Sequence, residues 1–345
     1  MTEYGSRFEW SANEPFLAEK GRGLDWDGAR FYRSGRDALK ALARCAKGHD
    51  TVLLPALCCE SMYIPFALNG FRVAFYQLHA DLSADLADLR ARMNDRTVLL
   101  YMRYLGHPAL TDEQLLTLRT EFPGALFVED RTHDLFVARR SAFRPDAATA
   151  SLRKWAALPE GGVLYTELDA EKGECDRRFG DWRLAAKQKK DRYHKSGDPA
   201  IKAEYLADFR TAEAMLDESP IPVRCTEDYA ALLHRLDFTH ILDRRLMNIR
   251  LLADALAPVN RGAALRFDPE RAMQSGLYFP LFLNRQKEMQ KYLAVEGVYC
   301  PILWPQPKDN AGSGYVNDNI LCVPCDQRYG QKDMDYIAHS ILSAL

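Results

Sequence analysis

Several features that mark membrane proteins and nucleic-acid-binding proteins are missing from this chain of 345 residues. No apolar run approaches the roughly 18 residues that a membrane span requires, and the start of the chain lacks the apolar core of a secretion signal. Lysine and arginine number 46 against 48 aspartate and glutamate residues, with the signs interspersed, so there is no basic stripe. We therefore expect a cytoplasmic protein that binds neither nucleic acid nor a membrane.

Cysteines with metal-binding spacing are also scarce. Of the eight cysteines, Cys322 and Cys325 alone have a Cys-x-x-Cys spacing. A zinc site would need a second such pair or a matching histidine pair, and the sequence has neither, so no metal is predicted. The pair follows apolar residues and is interpreted as two buried thiols on a strand. The adjacent Cys58 and Cys59 are interpreted as part of the core or of the active-site wall rather than as a disulfide.

What the chain does contain is a regular alternation of strand and helix patterns. Its length and its 47% hydrophobic content indicate one large and one small domain. The alternation predicts an α/β protein with a mostly parallel sheet in the large domain and a smaller C-terminal α+β domain. We predict a large domain over residues 1–236, and a linking helix with the small domain over 237–345.

The individual elements follow from apolar periodicity and turn residues. Strands are predicted at 51–55, 72–76, 97–101, 126–129, 148–151, 163–166, 276–282, 298–303 and 320–323. Helices are predicted from Ser34-Gly35 to about Cys45 and at 61–68, 82–93, 112–121, 239–256, 285–296 and 332–345. The charged stretch from about 171 to 217 predicts a solvated helical insertion.

Two chemically informative residues follow buried strands of the large domain. Asp130 ends one apolar run, and Lys154 ends another, 154 − 130 = 24 residues later. Because both runs would end at one edge of a parallel sheet, both side chains could reach one flat ring there. A lysine that forms a Schiff base and a carboxylate that keeps a pyridinium nitrogen protonated are what pyridoxal phosphate needs as an electron sink. In the alternative interpretation, Asp130 caps a turn and Lys154 is a solvated surface charge.

The start of the first helix supports a cofactor that carries a phosphate. The pair Ser34-Gly35 precedes an amphipathic helix, and a helix start offers unpaired backbone N–H groups and a positive dipole end. Alone, Ser34 is equally well explained as an N-cap and nothing more. Together with Asp130, Ser151 and Lys154, the phosphate interpretation is favoured.

These residues resemble the DegT/DnrJ/EryC1/StrS aminotransferases, which are fold-type I pyridoxal phosphate enzymes that mostly make amino sugars. The resemblance spans most of the chain and is more specific in its first half. It rests on Ser34-Gly35, Asp130-x-x-His133, Ser151-x-x-Lys154, Gly161-Gly162, Leu321-Cys322-Val323-Pro324 and Asp326-Gln327-Arg328-Tyr329. It implies a fold-type I homodimer, because the family completes each site across its interface.

The resemblance also implies roles for the matching residues. Lys154 would bind pyridoxal 5'-phosphate covalently and shuttle a proton, Asp130 would pair with the pyridine nitrogen, and His133 would contact the ring hydroxyl. The expected phosphate ligands are Ser34, Gly35 and Ser151, and Cys59 is expected in the cofactor wall. For the substrate we expect Arg328, which suits a carboxylate or phosphate, and Trp304, which suits a sugar ring. Each of these two would otherwise be an ordinary domain-interface residue.

Three positions depart from the family pattern. Arg36 replaces the usual threonine, and it could pair with the phosphate or with an anionic substrate; both possibilities stay open. Leu57 stands where an aromatic residue is expected near the ring, and Arg103 stands where the family has a histidine. The family takes a further phosphate ligand from the partner subunit, for which Lys195 and Asn248 are candidates.

The resemblance predicts an aminotransferase that acts on two small molecules. It would move an amino group from an amino acid donor, such as glutamate, to a keto acceptor on a nucleotide-linked sugar for surface polysaccharide or amino-sugar biosynthesis. Dehydration or elimination on a sugar is an alternative, against which the retained Lys154 argues. A cofactor-free, non-catalytic relative is another, since the threonine at 36 and the ring aromatic are absent.

Overall fold

The computed structural model describes residues 3–10, 16–260, 265–304 and 319–345. Two sheets organise these residues. The larger contains β1 (Ala29–Tyr32), β2 (Thr51–Pro55), β3 (Arg72–Tyr76), β4 (Thr97–Tyr104), β5 (His107–Pro108), β6 (Leu126–Asp130), β7 (Ala147–Ser151), β8 (Gly162–Thr166), β9 (Glu174–Cys175) and β10 (Val223–Arg224). The smaller contains β11 (Leu265–Arg266), β12 (Phe279–Leu283) and β13 (Ile320–Val323).

Helices cover the sheets and connect their strands. They are α1 (Gly35–Cys45), α2 (Glu60–Leu68), α3 (Leu86–Arg92), α4 (Asp112–Glu121), α5 (Arg178–Ser196), α6 (Pro199–Ala214), α7 (Glu227–Leu233), α8 (Phe238–Leu256), α9 (Pro269–Ser275), α10 (Gln286–Val295) and α11 (Gln331–Ser343). Within the described ranges, none of these helices has the length and apolar character needed to cross a membrane.

The large sheet has a parallel centre and an antiparallel flank. Its order is β3-β2-β4-β6-β7-β8-β1-β10-β9, with β5 beside β4. The strands β3, β2, β4, β6 and β7 pair in parallel, whereas β8 is antiparallel to both β7 and β1. The central strands β2 and β6 are buried along their whole length, as expected when helices cover both faces. This mixed α/β architecture confirms the predicted fold class.

The carboxyl edge of the parallel strands brings several chain segments together. Strands β6 and β7 end there at Asp130 and Ser151, and β1 ends beside them before the start of α1. Gly162 pairs with both Ser151 and Tyr32 and faces the carbonyl group of Ser34. A Cβ atom at this position would overlap that carbonyl oxygen, so only glycine lets α1 begin this close to β8.

The small sheet is antiparallel and has its own apolar core. Strand β12 lies between β11 and β13. Its buried neighbours come from α8, α10 and α11 and include Leu252, Leu293 and Ile337. The boundary between residues 236 and 237 stays a prediction.

Several predicted elements differ from the structure in their bounds, and two of the differences have clear local causes. The helix predicted at 82–93 begins later, at Leu86, because the Asp85 side chain caps it by accepting the backbone N–H groups of Ala87 and Asp88. The strand predicted at 298–303 is wrong: Val298 and Ile302 form only isolated bridges. Pro301, in the middle of that segment, has no N–H to donate to a ladder.

Gly162→Ala should destabilise the fold, because the added methyl group overlaps the Ser34 carbonyl oxygen. We expect a loss of about 3 kcal/mol, measured as a lower urea midpoint. Gly330→Ala is the matched control, because its Cβ would meet nothing nearer than Arg244 Nη2 at 3.5 Å. Its cost should stay within about 1 kcal/mol. Equal midpoints for the two variants would contradict the packing argument.

Candidate active site

A cavity of about 590 Å³ opens at the carboxyl edge of the parallel strands. It is bounded by the first turn of α1, the ends of β6 and β7, the N-terminal segment and helices α5 and α6. All of the predicted site residues except Ser34 line it: Gly35, Arg36, Cys59, Asp130, His133, Ser151, Lys154, Trp304 and Arg328. The fold thus brings together residues that are spread over almost the whole sequence.

Asp130 is a buried carboxylate at the end of β6. Its Oδ1 accepts the backbone N–H of Thr132 at 2.7 Å. Burial raises the pKa of Asp130, while the hydrogen bonds from Thr132 and the charge of Lys154 oppose that rise. Asp130 has no ion-pair partner within the described ranges, so a cationic group bound in the cavity would stabilise its ionised form.

Lys154 ends a short 3-10 turn, Leu152–Lys154, that directly follows β7. Its side chain is exposed to the cavity, and Nζ lies 5.8 Å from the centroid of the Trp304 ring. Among residues whose positions are described, its amine has neither a hydrogen-bond acceptor nor a carboxylate within ion-pair distance. The amine is therefore available to a ligand that enters the cavity.

The next residue, Trp155, anchors this turn. Its ring is fully buried, and Nε1 donates to the carbonyl oxygen of Thr132 at 2.9 Å. The carbonyl of Trp155 accepts the side-chain N–H groups of Gln327 at 2.7 Å and of Arg245 at 3.3 Å. The Arg245 guanidinium also lies 4.9 Å from the Trp155 ring centroid. These contacts fix the backbone from which the Lys154 side chain extends.

His133 has two unpartnered polar atoms in the cavity wall. Its ring stacks on Trp304, with the centroids 5.1 Å apart and the planes at 23°. Both ring nitrogens are buried and have no hydrogen-bond partner among the described residues. Burial, with a contribution from Lys154, holds the pKa of His133 far below its usual range, so the ring is neutral. A neutral imidazole offers a ligand one donor and one acceptor.

The contacts at the start of α1 show whether Ser34 is an N-cap or is placed to contact a phosphate. Its hydroxyl donates to Asp37 Oδ2 at 2.6 Å and accepts the Asp37 backbone N–H at 3.2 Å. Ser34 is therefore the N-cap and points away from the cavity, which leaves its predicted contact with a phosphate without support. In the described structure, the backbone N–H groups of Gly35 and Arg36 have no acceptor. A Cβ on Gly35 would lie 3.3 Å from the Ser151 Cβ, so these N–H groups and the Ser151 side chain are close together.

Positive charge is concentrated around one glutamate beside this helix start. Glu213, near the end of α6, is 2.6 Å from Arg183, 3.3 Å from Arg153 and 3.8 Å from Arg36. We call these three arginines the arginine cluster. Burial would raise the pKa of Glu213, but the arginines lower it to about 2. Arg36 also contacts Asp217 at 3.2 Å, so carboxylates hold it in place within this chain.

Most residues of the charged insertion are exposed or partly exposed, but one face of α5 is buried. Arg183, Lys187 and Lys190 are buried on the face of α5 that meets the N-terminal segment. Lys187 Nζ donates to the carbonyl oxygen of Phe8 at 2.9 Å, and Lys190 Nζ donates to Ser6 Oγ at 2.8 Å. The missed signal is the spacing of these cations by four and three residues, which places them on one helix face. Nothing in the sequence indicates what that face meets.

Arg328 lines the cavity but already has carboxylate partners. Its guanidinium contacts Asp326 and Glu9, each at 2.9 Å, and donates to the carbonyl oxygen of Ser6 at 2.9 Å. It therefore also holds the N-terminal segment against the small-domain loop. Its predicted contact with the substrate stays a prediction.

Of the three positions that depart from the family pattern, Arg36 lines the cavity, whereas Leu57 and Arg103 do not. Leu57 is buried, and Arg103 forms an ion pair with Asp112 at 2.8 Å.

Asn248 is buried in its own chain, where its amide donates to the carbonyl oxygens of Cys325, Asp326 and Tyr329. It is thus a structural residue rather than a ligand for a partner's phosphate. Lys195 pairs with Asp191 on the surface.

Comparison with known proteins gives the fold a family context. No protein-family model matches the chain, and no curated protein sequence matches it. Among solved structures, DesI in the presence of its TDP-sugar product has a TM-score of 0.65 at 20% identity, over 92% of this chain and 80% of that chain. Spr1654 from Streptococcus pneumoniae, in its PLP form, has a TM-score of 0.63 at 13% identity, over 92% and 86%.

A third structure carries the name of the family that the sequence resembles. A DegT DnrJ EryC1 StrS aminotransferase from Brucella abortus has a TM-score of 0.55 at 15% identity, over 91% of this chain and 85% of that chain. At such low identities these likenesses show the fold alone. The chain therefore has the fold of the sugar aminotransferases, as the sequence predicted.

Glu213→Gln should weaken the fold in a pH-dependent way. The pKa of Glu213 is about 2 in the folded protein against an ordinary 4.5. Its ionised form therefore contributes stability that is complete above pH 4.5 and disappears as the pH falls towards 2. The urea midpoint of the variant should lie below that of the wild type at pH 7, with a smaller gap at pH 3.

Glu204→Gln is the matched control for this measurement, because Glu204 is an exposed glutamate of the same helix. It should leave the midpoint nearly unchanged at both pH values. A gap for Glu213→Gln that stays constant or widens on acidification would contradict the charge argument.

Proposed function

We propose that this protein is a pyridoxal phosphate-dependent aminotransferase that moves an amino group from an amino acid to a keto group on a nucleotide-linked sugar. The observation that carries the proposal is the cavity itself. It combines the unpartnered amine of Lys154, the buried carboxylate of Asp130 and the unpartnered ring nitrogens of His133. These are the groups that a flat, charged pyridine cofactor requires.

The residues present fit this cofactor. Asp130 is a buried carboxylate without a cation and would hold the protonated ring nitrogen, while His133 offers a neutral nitrogen to a polar ring substituent. The unpaired N–H groups of Gly35 and Arg36, with the Ser151 side chain, suit the phosphate. The cofactor, when bound, supplies the electron sink for breaking bonds at a substrate carbon. The sugar aminotransferase fold and the PLP form of Spr1654 support the same assignment.

In this proposal each protein group has a limited task. Lys154 Nζ, on a side chain free to move, accepts a proton from a substrate carbon and returns it to a neighbouring atom. Asp130 keeps positive charge at one end of the site. Trp304 and His133 form a stacked wall that excludes water from one side. The anchored Trp155 keeps the Lys154 backbone in place while its side chain moves.

The charge of the cavity supports an anionic acceptor. Its wall carries eight cationic side chains and three carboxylates: Arg7, Arg36, Arg153, Lys154, Arg183, Lys187, Arg245 and Arg328 against Asp130, Glu213 and Asp326. A nucleotide-linked sugar carries phosphate groups that such a wall attracts, and the Trp304 face suits a sugar ring. DesI, which shares the fold, was solved with a TDP-sugar product.

Subunit arrangement and compartment belong to the same proposal. We propose a homodimer, because the resemblance implies a site completed across an interface. We propose a cytoplasmic enzyme, with which eight unpaired cysteines are consistent. Light scattering tests the first point, since a dimer would have twice the chain mass of 39.3 kDa.

Lys154→Ala should abolish covalent attachment of the cofactor. With added pyridoxal phosphate, the wild-type protein should develop a visible absorption band, and borohydride should fix the pyridoxyl group on Lys154, as located by peptide mass spectrometry. The variant should show no such modification, because its side chain has no amine. Lys172→Ala, which removes an exposed surface lysine, is the control and should behave as the wild type.

The same samples separate the alternatives. A wild-type protein that takes up no cofactor would overturn the enzyme assignment in favour of the non-catalytic relative. If the cofactor binds, product analysis with an amino donor distinguishes amino transfer from dehydration or elimination. Release of a keto acid with an aminated acceptor supports the proposal.

Asp130→Asn should lower turnover strongly while leaving the fold intact. An amide cannot hold a positive charge on the ring nitrogen, and loss of this charge-assisted contact corresponds to about a 100-fold drop in kcat. The measurement is the rate at which an amino donor bleaches the visible band. The control is Asp50→Asn, which should keep the wild-type rate. Asp50 is an exposed residue that directly precedes β2, at the edge of the sheet opposite to the cavity. A wild-type rate for Asp130→Asn would argue against this role.

A further inference from the structure

The arginine cluster is an unusual concentration of like charge in a partly enclosed place. Arg36, Arg153 and Arg183 lie within 4 Å of one carboxylate, that of Glu213. Among the described residues, Arg36 alone of the three has a second carboxylate close by, that of Asp217. Arg7 adds a further positive charge that acts on Glu213. The local positive charge therefore exceeds the negative charge, and the cluster can accept another anion without losing its own counter-ion.

The cluster borders the phosphate cradle, by which we mean the backbone N–H groups of Gly35 and Arg36 together with the Ser151 side chain. Arg36 is the second residue of that helix, next to the unpaired N–H of Gly35. Arg153 lies two residues after Ser151, whose Cβ is in van der Waals range of the Gly35 position. Arg183 reaches the same place from α5 in the insertion. Each of these residues lines the cavity, so an anion at the helix start would face them.

We infer that the arginine cluster is the phosphate clamp of the site, with Glu213 as the internal counter-ion of the three guanidinium groups. This inference rests on the proposed function, because it assigns these side chains to the phosphate of the cofactor. It assigns Arg36 to the phosphate rather than to a substrate anion. It also gives the α5–α6 insertion a function, namely to deliver Arg183 and Glu213 to the cradle.

Glu213 has two opposite effects in this arrangement. In the protein without ligand it neutralises part of the cluster and keeps the arginines from repelling one another. Once a phosphate binds, the carboxylate and the phosphate are like charges that share the same donors. Removing the Glu213 charge should therefore destabilise the protein without ligand and strengthen phosphate binding. A glutamate with a purely structural role would not produce an opposite change in these two quantities.

The first experiment compares the affinities of pyridoxal phosphate and of pyridoxal, measured by absorbance titration. Their ratio isolates the contribution of the phosphate, and the pyridoxal affinity reports whether the rest of the site is intact. Arg153→Gln should lower the ratio by about tenfold or more, as expected for one charge-assisted contact. Arg36→Gln provides a second test at a less buried arginine. Arg192→Gln, an exposed arginine of α5, should leave the ratio unchanged.

The second experiment uses Glu213→Gln. Its thermal midpoint without ligand should fall, while its ratio of pyridoxal phosphate to pyridoxal affinity should rise by about three- to tenfold. A ratio that falls together with stability would assign Glu213 a structural role only and overturn its part of the inference.

Inorganic phosphate tests the clamp without the cofactor. It should raise the thermal midpoint of the wild type and leave that of Arg153→Gln nearly unchanged. If the wild type binds neither pyridoxal nor its phosphate, the proposed function fails, whatever inorganic phosphate does. If the wild type binds both and the ratio is unchanged in Arg153→Gln and Arg36→Gln, the inference fails and the proposed function stands.

Discussion

The close approach of α1 to β8 is the constraint on which the candidate site depends. Gly162 lies between Ser151 and Tyr32 in the sheet and directly faces the Ser34 carbonyl. Because no side chain separates these segments, the first turn of α1 reaches the edge where β6 and β7 end. Asp130 and the turn that carries Lys154 are delivered to the same edge by the register of these strands. The start of α1, Asp130 and Lys154 are thereby held in one place, as the proposed function requires.

Charge balance explains the rest of the architecture around the cavity. Buried lysines on α5 need acceptors, and the N-terminal segment supplies them as the carbonyl oxygens of Phe8 and Arg7 and the hydroxyl of Ser6. Arg328 links this segment to the small-domain loop through Glu9 and Asp326. The insertion, the first residues and the C-terminal part of the chain are thus joined by polar contacts at the cavity. Their collective positive charge makes this region suited to phosphate-bearing ligands.

Part of this arrangement could be predicted from the sequence because the signals are local. Strand runs such as Thr51–Pro55 and the helix start at Ser34-Gly35 depend on neighbouring residues. Two of the wrong predictions also have local causes. The Asp85 cap makes α3 begin later than predicted, and Pro301 prevents a strand from forming at 298–303. The arginine cluster could not be predicted in this way, because its members come from α1, the turn after β7 and the insertion. Composition gave no sign that one face of α5 in the insertion is buried.

The sequence by itself determined the alternation of strands and helices and the placement of Asp130 and Lys154 at one edge of the sheet. Strand periodicity and the parallel direction of the strands suffice for both. Only the tertiary structure decided which side chains face the cavity. It stacked Trp304 on His133 and gathered arginines from α1, the turn after β7 and α5 around Glu213. The physical reason is that burial and ion pairing depend on which segments meet, and residues that lie in separate elements carry no local mark of that meeting.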